Sequence, residues 1–444
     1  MNFKLSLGLI AILLLIKCTL GDHKPVSFKG CPVFDINKRV YVMQNSRLSW
    51  PPFIGGIAAH KIFTDTEFIY SMLRLHLSEE ESCSLQSANG LNLMFPAAIW
   101  LPEKKMYLVV VRLFLNLTKS YLYTSFFDSD WREVITEDMV GATQVPGILP
   151  IEVYDYNVEC SGPEDPRIFR FGKEIYVIYN MIDVDLRRKM FLYRFETGET
   201  WPLEIVEHTW GTAYAEKNWT PLIVDDEHLY FVYNHKNFQI LDCTNSRKEL
   251  CNRVSGEPYS LPAGLRGGSP YVRFGSSNYF VSLGYSHLKY KKGIDCCVFY
   301  RPTLTIAAIS KNPDKFDLIF QSEPIDFQSL LIEPFTQYNS TEHIKICDAG
   351  RIMMALSIAN WDYEEDVVDI TLNLNDAVAL AAKVTGLTDL ALDVISMHEN
   401  GSLYGGDDCV EKLVYRHFDF EDPEISARNS LRRRRMKKTA VDNN

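Results

Sequence analysis

The stretch of sequence that decides the fold reads Pro166-Arg-Ile-Phe-Arg-Phe-Gly-Lys-Glu-Ile-Tyr-Val-Ile-Tyr-Asn180. Its short apolar run, its polar turn at Gly172 and its aromatic-rich second run predict a β-hairpin. The same order of features recurs three more times, in hairpins that open at Pro96, Pro221 and Pro270. A degenerate fifth copy extends from Asp348 through Met354 to Asn360. The chain therefore contains an internal β repeat.

The spacing of the repeat predicts the architecture. The four clear copies start 70, 55 and 49 residues apart, which leaves room for one four-stranded sheet per copy. Radial repetition of such sheets is how a β-propeller protects its edge strands. A β-sandwich is the alternative, because its hairpins also repeat, although with less regular openings. The sequence favours an all-β propeller.

The flanks of the repeat differ from it and give four predicted segments. Residues 22–90 carry less periodic structure and are expected to wrap one side of the propeller, which spans 91–396. Asp376 to Thr385 is predicted to be a short C-terminal helix, with Asn375 or Asp376 as its cap and Gly386 as its end. Residues 397–444 form an extension whose basic tail we expect to be solvated.

Residues 1–21 indicate the compartment. Lys4 is followed by an apolar run to Ile16, and small residues stand at Thr19 and Gly21, as in a secretory signal peptide. The run has about 12 residues, short of the roughly 18 that a bilayer span needs, so cleavage near Gly21 is favoured over an uncleaved signal-anchor. Membrane association is expected only if this segment stays attached.

Cysteines and sequons fit a secreted or luminal protein. Ten cysteines are present, and Cys243 and Cys251 flank a short polar segment that a disulfide would close into a loop. Four Asn-x-Ser/Thr sequons are candidate glycosylation sites, at Asn116, Asn218, Asn339 and Asn400. The sequence therefore predicts a disulfide-containing glycoprotein of the secretory pathway.

The overall charge argues against nucleic acid as a partner. The chain has 46 basic and 57 acidic residues, a net charge of −11, and seven of the bases crowd into the tail after Ala427. A body this acidic is a poor general binder of a phosphate backbone. Asp128-Ser-Asp130 and Asp183-Val-Asp185 have the spacing of a metal-binding Asp-x-Asp, but solvated turn acids explain them better. We therefore predict no metal and no cofactor.

Two short strings carry the candidate chemistry, Gly162-Pro-Glu-Asp-Pro-Arg167 and Glu216-Lys-Asn-Trp-Thr-Pro221. Each stands directly before the first strand of a hairpin, where a propeller faces its central funnel. Asp165 and Arg167 flank a stiff proline, so a carboxylate able to exchange a proton lies near a guanidinium able to bind phosphate. The structural alternatives are an Asx turn with an ion pair in the first string and a core aromatic beside a basic residue in the second.

These strings resemble motifs of the β-1,2-mannoside phosphorylases and β-1,2-mannosyltransferases, a superfamily of five-bladed β-propellers that includes fungal cell-wall enzymes. The resemblance extends from about Asn92 to Asn373, and Arg266-Gly-Gly-Ser-Pro270 is similar to a third motif. One departure lies in the first blade, where Phe95 replaces the asparagine that family members often have before the proline. That departure puts the first-blade sugar contact in doubt.

The resemblance implies a role for each matching residue. Asp165 is the implied central acid/base of a single inverting displacement. The implied phosphate or donor ligands are Arg112, Arg167 and Arg266. The implied sugar contacts are Lys217, Asn218, Trp219, Asp362 and His287. Asn218 is also part of a sequon, and we predict that it carries no glycan, since a glycan would fill the funnel.

Three functions remain open from the sequence. The leading one is an inverting β-mannosyltransferase that moves mannose from a nucleotide sugar, GDP-mannose, to a mannose-containing glycan. The second is a β-mannoside phosphorylase or hydrolase of the same fold, with mannose-1-phosphate as the corresponding donor. The third is a non-catalytic propeller that binds glycans.

Overall fold

The computed structural model describes residues 92–403 apart from twelve gaps, together with Arg39, Tyr41–Val42 and Ile69. The gaps are 116–118, 155–160, 207–214, 236–237, 245–249, 256–264, 293–294, 310–315, 326, 328–351, 375 and 377. The predicted signal peptide, most of the predicted wrapping segment and the basic tail lie outside the described residues. The described part is mostly β, as predicted.

The strands form five units, each built by antiparallel pairing of consecutive strands. Unit I contains β2 (Asn92–Leu101), β3 (Met106–Leu115), β4 (Lys119–Phe127) and β5 (Glu133–Val134), and β8 (Gly147–Ile148) also pairs with β4. Between them, β6 (Asp138–Val140) and β7 (Thr143–Val145) make a separate hairpin. Unit II contains β9 (Glu164–Phe171), β10 (Glu174–Ile182), β11 (Arg188–Arg194) and β12 (Glu199–Ile205).

The remaining units repeat this plan. Unit III contains β13 (Thr220–Ile223), β14 (Leu229–Asn234), β15 (Gln239–Asp242) and β16 (Leu250–Ser255). Unit IV contains β17 (Leu265–Arg266), β18 (Val272–Arg273), β19 (Tyr279–Lys292), β20 (Asp295–Ile309) and β21 (Phe316–Pro324). Unit V contains β22 (Met353–Asp362), β23 (Val367–Leu374) and β24 (Val378–Thr385), and β1 (Tyr41–Val42) pairs with β24 as its outer strand.

Neighbouring units contact one another through their early strands. β2 lies against both β9 and β22, β9 lies against β13, and β13 lies against β18. β19, which pairs with β18, lies against β22, so the contacts return to unit V and close a ring. Units II and III are also joined at their outer edge, where β12 pairs in parallel with β16.

The hydrophobic core lies between neighbouring units. Val110 of unit I packs in one cluster with Ile168 and Val177 of unit II, and comparable clusters join each following pair of units. A further cluster joins units I and V, where Leu93 and Ala359 are buried. Strands such as β4 and β10 bury side chains on both faces, so their sequences are nearly continuous hydrophobic runs rather than strict alternations.

The four Pro-led copies of the repeat form the predicted hairpins, but the fifth copy differs. Residues 353–360 do not contain both strands of a hairpin, because Met353–Asp362 is one continuous strand and its partner is Val367–Leu374. The turn therefore lies at 363–366, farther along the chain than the sequence indicated.

The prediction of a helix from Asp376 to Thr385 was wrong. Val378–Thr385 is β24, which pairs with β23 on one side and β1 on the other, so sheet packing outweighs the helix propensity of its alanines. The helix, α1 (Leu387–Glu399), begins directly after Gly386, which has a φ of 90°. It therefore extends through the predicted boundary at 396–397. No helix in the described part is long and apolar enough to span a membrane.

The N-terminus of α1 is capped by a side chain from the hairpin turn of unit V. The Asp366 carboxylate accepts hydrogen bonds from Gly386 N at 2.5 Å, Thr388 N at 2.9 Å and Thr385 Oγ1 at 3.0 Å. Such a carboxylate satisfies helix N–H groups that have no partner inside the helix and complements the positive end of the helix dipole.

We expect Asp366→Ala to lower the free energy of unfolding by about 1–2 kcal/mol, because the cap is lost. Asp366→Asn, which tolerates the positive φ of 51° at this position and keeps one accepting oxygen, should cost less. Urea unfolding of the two variants measures the difference. Equal stability of wild type and Asp366→Ala would show that the cap contributes nothing.

Candidate active site

Asp165 lies on a β-bulge at the start of β9. Arg167 faces Ile178 in the register, whereas Glu164 faces Asn180, so β9 contains one residue more than β10 over this span. The extra residue gives Asp165 a φ of 52° and turns its side chain out of the normal alternation. Its Oδ2 accepts a hydrogen bond of 3.4 Å from Asn180 Nδ2. Asp165 remains partly exposed.

Unit I contains the same backbone feature with a different side chain. Met94 faces Arg112 and Ala97 faces Val110, so β2 has a bulge before its proline, and Phe95 has a φ of 55°. Phe95 N donates to Asn373 Oδ1 at 3.1 Å, which fixes this bulge against unit V. The equivalent positions of the two units therefore carry an apolar ring in unit I and the Asp165 carboxylate in unit II.

Glu164, the neighbour of Asp165, binds three basic side chains. Its Oε1 lies 2.9 Å from Arg112 NH2, and its Oε2 lies 2.8 Å from Arg188 NH1 and 3.3 Å from Lys217 Nζ. The Glu164 side chain is only 5% exposed, so its charge requires these partners. Three cations around one carboxylate leave an excess of positive charge beside Asp165. We call Glu164, Arg112, Arg188 and Lys217 the cation cluster.

The cation cluster is assembled from different parts of the chain. Arg112 comes from β3 of unit I, Arg188 opens β11 of unit II, and Lys217 precedes β13 of unit III. Asn180 connects the cluster to the bulge, because its Nδ2 donates to Glu164 O at 3.2 Å and its Oδ1 accepts from Arg188 NH1 at 2.7 Å. The positive charge is thus held at the junction of three units.

Two arginines in this region have donor capacity left. The Arg112 guanidinium lies 4.9 Å from the centroid of Phe114 and 5.9 Å from that of Phe95, and its buried Nε has no hydrogen-bond partner among the described residues. Arg266, opposite Tyr285 in the pairing of β17 with β19, likewise has a buried Nε without a partner within the described ranges. Contact of Arg112 or Arg266 with an anionic group remains a prediction.

The surroundings of Arg167 differ from those predicted for a residue that binds phosphate. Arg167 is 1% exposed, and its guanidinium donates to Gly268 O at 2.6 Å, Gly267 O at 2.8 Å, Asp165 O at 2.9 Å and Asn218 Oδ1 at 3.5 Å. Burial lowers the pKa of Arg167, and Tyr285 and Asp165 oppose that shift. These contacts satisfy the hydrogen-bond donors of the guanidinium inside the protein. The structure therefore argues against the predicted contact of Arg167 with phosphate.

Asn218 and Lys217 lie at the same junction. Asn218 has a φ of 64°, and its Oδ1 also accepts a hydrogen bond of 2.8 Å from Tyr285 Oη. Lys217 keeps 39% of its side chain exposed while it contacts Glu164. Contact of these two residues with a sugar remains a prediction.

We expect Asn218 to be unmodified, because it is only 9% exposed and its side chain is bonded within the site. Treatment of the protein, purified from a secretory host, with peptide N-glycosidase converts glycosylated Asn to Asp, which peptide mass spectrometry detects. Asn400, an exposed sequon at the end of α1, is the internal reference for accessible sites. Conversion of Asn218 to Asp would contradict this placement of its side chain.

Two predicted sugar contacts were wrong. Trp219 is fully buried in the cluster between units II and III, and its Nε1 donates to Glu216 Oε2 at 2.9 Å, so its ring has no open face for a sugar. Asp362 is exposed at the far end of β22, where its Oδ1 accepts from Glu364 N and Glu365 N at 3.1 Å in a turn. The opposite end of β22, at Met354, is the one that packs beside Phe95.

The predictions for His287 and for Cys243 and Cys251 have different outcomes. His287 belongs to β19 and pairs with Tyr300, but its side chain lies outside the described residues. Cys243 and Cys251 are joined by a disulfide with a Cα–Cα distance of 4.3 Å, which closes the loop between β15 and β16.

The sequence motifs did not reveal all members of the site. Glu164 was part of a quoted string without a role, and Arg188 and Asn180 were not predicted to be functional. Asn180 carried a usable signal, since it ends the second run of its hairpin just as Asn234 does in unit III. Arg188 has no comparable signal, because its partner Glu164 lies 24 residues away and is brought close only by strand pairing.

The comparisons with known proteins find similarity to β-mannosyltransferases. Residues 202–411 match the family model described as Beta-mannosyltransferases. The matched range includes the Lys217 string at 216–221 but not the Asp165 string at 162–167. Two relatives come from Candida albicans. Beta-mannosyltransferase 3 is 28% identical, and the match covers 63% of this chain and 55% of that protein. Beta-mannosyltransferase 6 is 21% identical, and the match covers 71% of this chain and 62% of that protein. The chain thus spans little more than half the length of these relatives.

Among solved structures, a GDP-Man-dependent mannosyltransferase from Leishmania mexicana matches 70% of this chain and 94% of its own, at 8% identity with a TM-score of 0.44. A score of that size does not establish a common fold. The family model and the Candida relatives confirm the relationship to the β-mannosyltransferases that the sequence motifs predict.

Proposed function

We propose that this protein is an inverting β-mannosyltransferase, which transfers mannose from GDP-mannose to a mannose-containing glycan in the secretory pathway. The observation that carries the proposal is the cation cluster at Glu164 with the Asp165 carboxylate on the adjoining bulge. The two features supply what a sugar transfer from a diphosphate needs: positive charge for the leaving group and a base for the acceptor.

We further propose that the five units are the blades of a five-bladed propeller. The ring of contacts among the first strands and the clusters between neighbouring units support this architecture. β1 would complete the fifth blade as its outermost strand. In such a fold the site occupies the mouth of the central funnel.

The reaction follows from the placement of the charges. The acceptor hydroxyl oxygen forms a bond to C1 of mannose while the bond from C1 to the diphosphate oxygen breaks. Asp165 takes the proton of the hydroxyl, and GDP leaves with the electron pair. Arg112 and Arg188 neutralise the charge that grows on the leaving phosphate, and preorganised charges of this kind contribute much of enzymatic rate enhancement. One displacement inverts the configuration at C1.

The remaining members of the site fit this scheme. Arg266 would contribute a further donor to the phosphates, while Lys217 and Asn218 would contact mannose hydroxyls. The scheme uses no metal or cofactor. Entry into the secretory pathway through residues 1–21 would place the enzyme in the lumen, where the disulfide between Cys243 and Cys251 is stable.

The proposal is tested by product formation with the full chain, purified from a secretory host. The donors are GDP-mannose and, in parallel, mannose-1-phosphate, and the acceptors are short mannosides. A longer mannoside made from GDP-mannose supports the transferase. Product from mannose-1-phosphate alone moves the protein to the phosphorylases. Mannoside binding without turnover of either donor supports a glycan-binding propeller instead.

A further inference from the structure

Arg167 connects three structural units. It belongs to β9 of unit II, yet it bonds to the backbone oxygens of Gly267 and Gly268, in the segment between β17 and β18 of unit IV. Its longer contact reaches Asn218, directly before unit III. The fourth bond returns to Asp165 O in its own unit. A planar guanidinium with several fixed N–H directions can serve this many acceptors at once, whereas an ammonium group cannot do so in the same geometry.

The backbone at Gly267 and Gly268, whose oxygens accept the hydrogen bonds of Arg167, packs closely against neighbouring strands. A Cβ added to Gly267 would lie 1.9 Å from Thr220 Oγ1 and 2.4 Å from Asn218 O. A Cβ added to Gly268 would lie 2.1 Å from Leu283 O and 2.7 Å from Ala355 O. Both positions therefore require glycine, because the backbone of unit IV passes directly against units III and V. The two carbonyl oxygens are consequently fixed relative to neighbouring strands.

Two of the four bonds of Arg167 end on residues with a positive φ. Asp165 and Asn218 have φ values of 52° and 64°, a region that is uncommon for residues other than glycine. Such conformations persist only where surrounding contacts hold them. Arg167 holds Asp165 through its carbonyl oxygen and Asn218 through its side-chain oxygen, to which Tyr285 Oη also donates.

We propose that Arg167 is a positioning residue, which sets the geometry of Asp165 and Asn218 at the junction of units II, III and IV and does not bind the donor phosphates. The inference rests on the proposed transferase function. It separates two arginines that the sequence motifs group together: Arg112 contacts the donor, whereas Arg167 aligns Asp165 with Asn218. Misplacement of a reacting group by about 1 Å can cost about 10²-fold in rate, so this alignment affects kcat.

The test compares Arg167→Lys with Arg112→Lys, since both variants keep a positive charge and lose the planar fork. Steady-state kinetics with GDP-mannose and calorimetric titration with GDP are measured for each. Arg167→Lys is expected to lower kcat by about 10²-fold while KM and the Kd for GDP stay within about 3-fold of wild type. Arg112→Lys is expected to raise KM and the Kd for GDP by about 10-fold or more.

A milder variant covers the case in which Arg167→Lys does not fold. Tyr285→Phe removes only the hydroxyl that donates to Asn218 Oδ1, and it should lower kcat several-fold with KM unchanged. If Arg167→Lys folds, a rise in its Kd for GDP with kcat retained would overturn the inference. If Arg167→Lys is unfolded, an unchanged kcat in Tyr285→Phe would overturn it. Absence of turnover in the wild type would instead refute the proposed function. The wild-type control therefore separates failure of the function from failure of this inference.

Discussion

Asp165→Asn is expected to lower kcat by about 10²–10⁴-fold, the usual contribution of a general base, with little change in stability. Asparagine tolerates a positive φ about as well as aspartate, so the bulge at 52° should keep its shape. The amide cannot take the proton of the acceptor hydroxyl. Initial rates with GDP-mannose and a mannoside acceptor measure the loss.

A matched control for this variant is Asp366→Asn. Asp366 has a φ of 51°, so the chemical change and the backbone region are the same, but its carboxylate caps α1. Its kcat should equal that of the wild type. A kcat for Asp165→Asn within a factor of a few of the wild type would remove Asp165 from the reaction, whatever the control shows.

The largest effect on stability is expected for Glu164→Gln. The neutral amide leaves Arg112, Arg188 and Lys217 without their common counter-charge, and an N–H of the amide faces at least one of them. Removing one partner of a buried ionic group costs about 3–5 kcal/mol, because the remaining charges stay poorly solvated. Urea unfolding at neutral pH should show a loss of that order.

The control for Glu164→Gln is Glu103→Gln, which breaks an ion pair of similar distance at the surface. Glu103 Oε1 lies 3.0 Å from Arg170 NH2, and the two side chains are 54% and 37% exposed. A surface pair of this kind contributes about 0–1 kcal/mol. Equal, small losses in both variants would show that Glu164 is not the organising charge of the cation cluster.

The local signals in the sequence predicted the repeat well. The Pro-led hairpins depend on short apolar runs and polar turns, which are encoded within about 15 residues, and the units that begin at Pro166 and Pro221 form as expected. The prediction failed where tertiary contacts outweighed local preference. Val378–Thr385 contains helix-forming alanines, but two neighbouring strands recruit it into the sheet.

The site was predictable only in part for the same reason. Asp165 and Lys217 follow from motif resemblance, and the structure brings both beside Glu164. The roles of Trp219 and Arg167 depend on which way a side chain points, and neither string contains that information. Trp219 points into the core between two units, and Arg167 points across the ring at backbone oxygens about 100 residues away.

The most direct test of the central claim is the configuration at C1 of the transferred mannose, read by NMR of the product formed from GDP-mannose by the full chain. GDP-mannose carries the α configuration, and a single displacement assisted by Asp165 must invert it. We expect a β-linked mannoside, formed together with GDP and absent with Asp165→Asn. An α-linked product, or a β-linked product that Asp165→Asn forms at the wild-type rate, would contradict it.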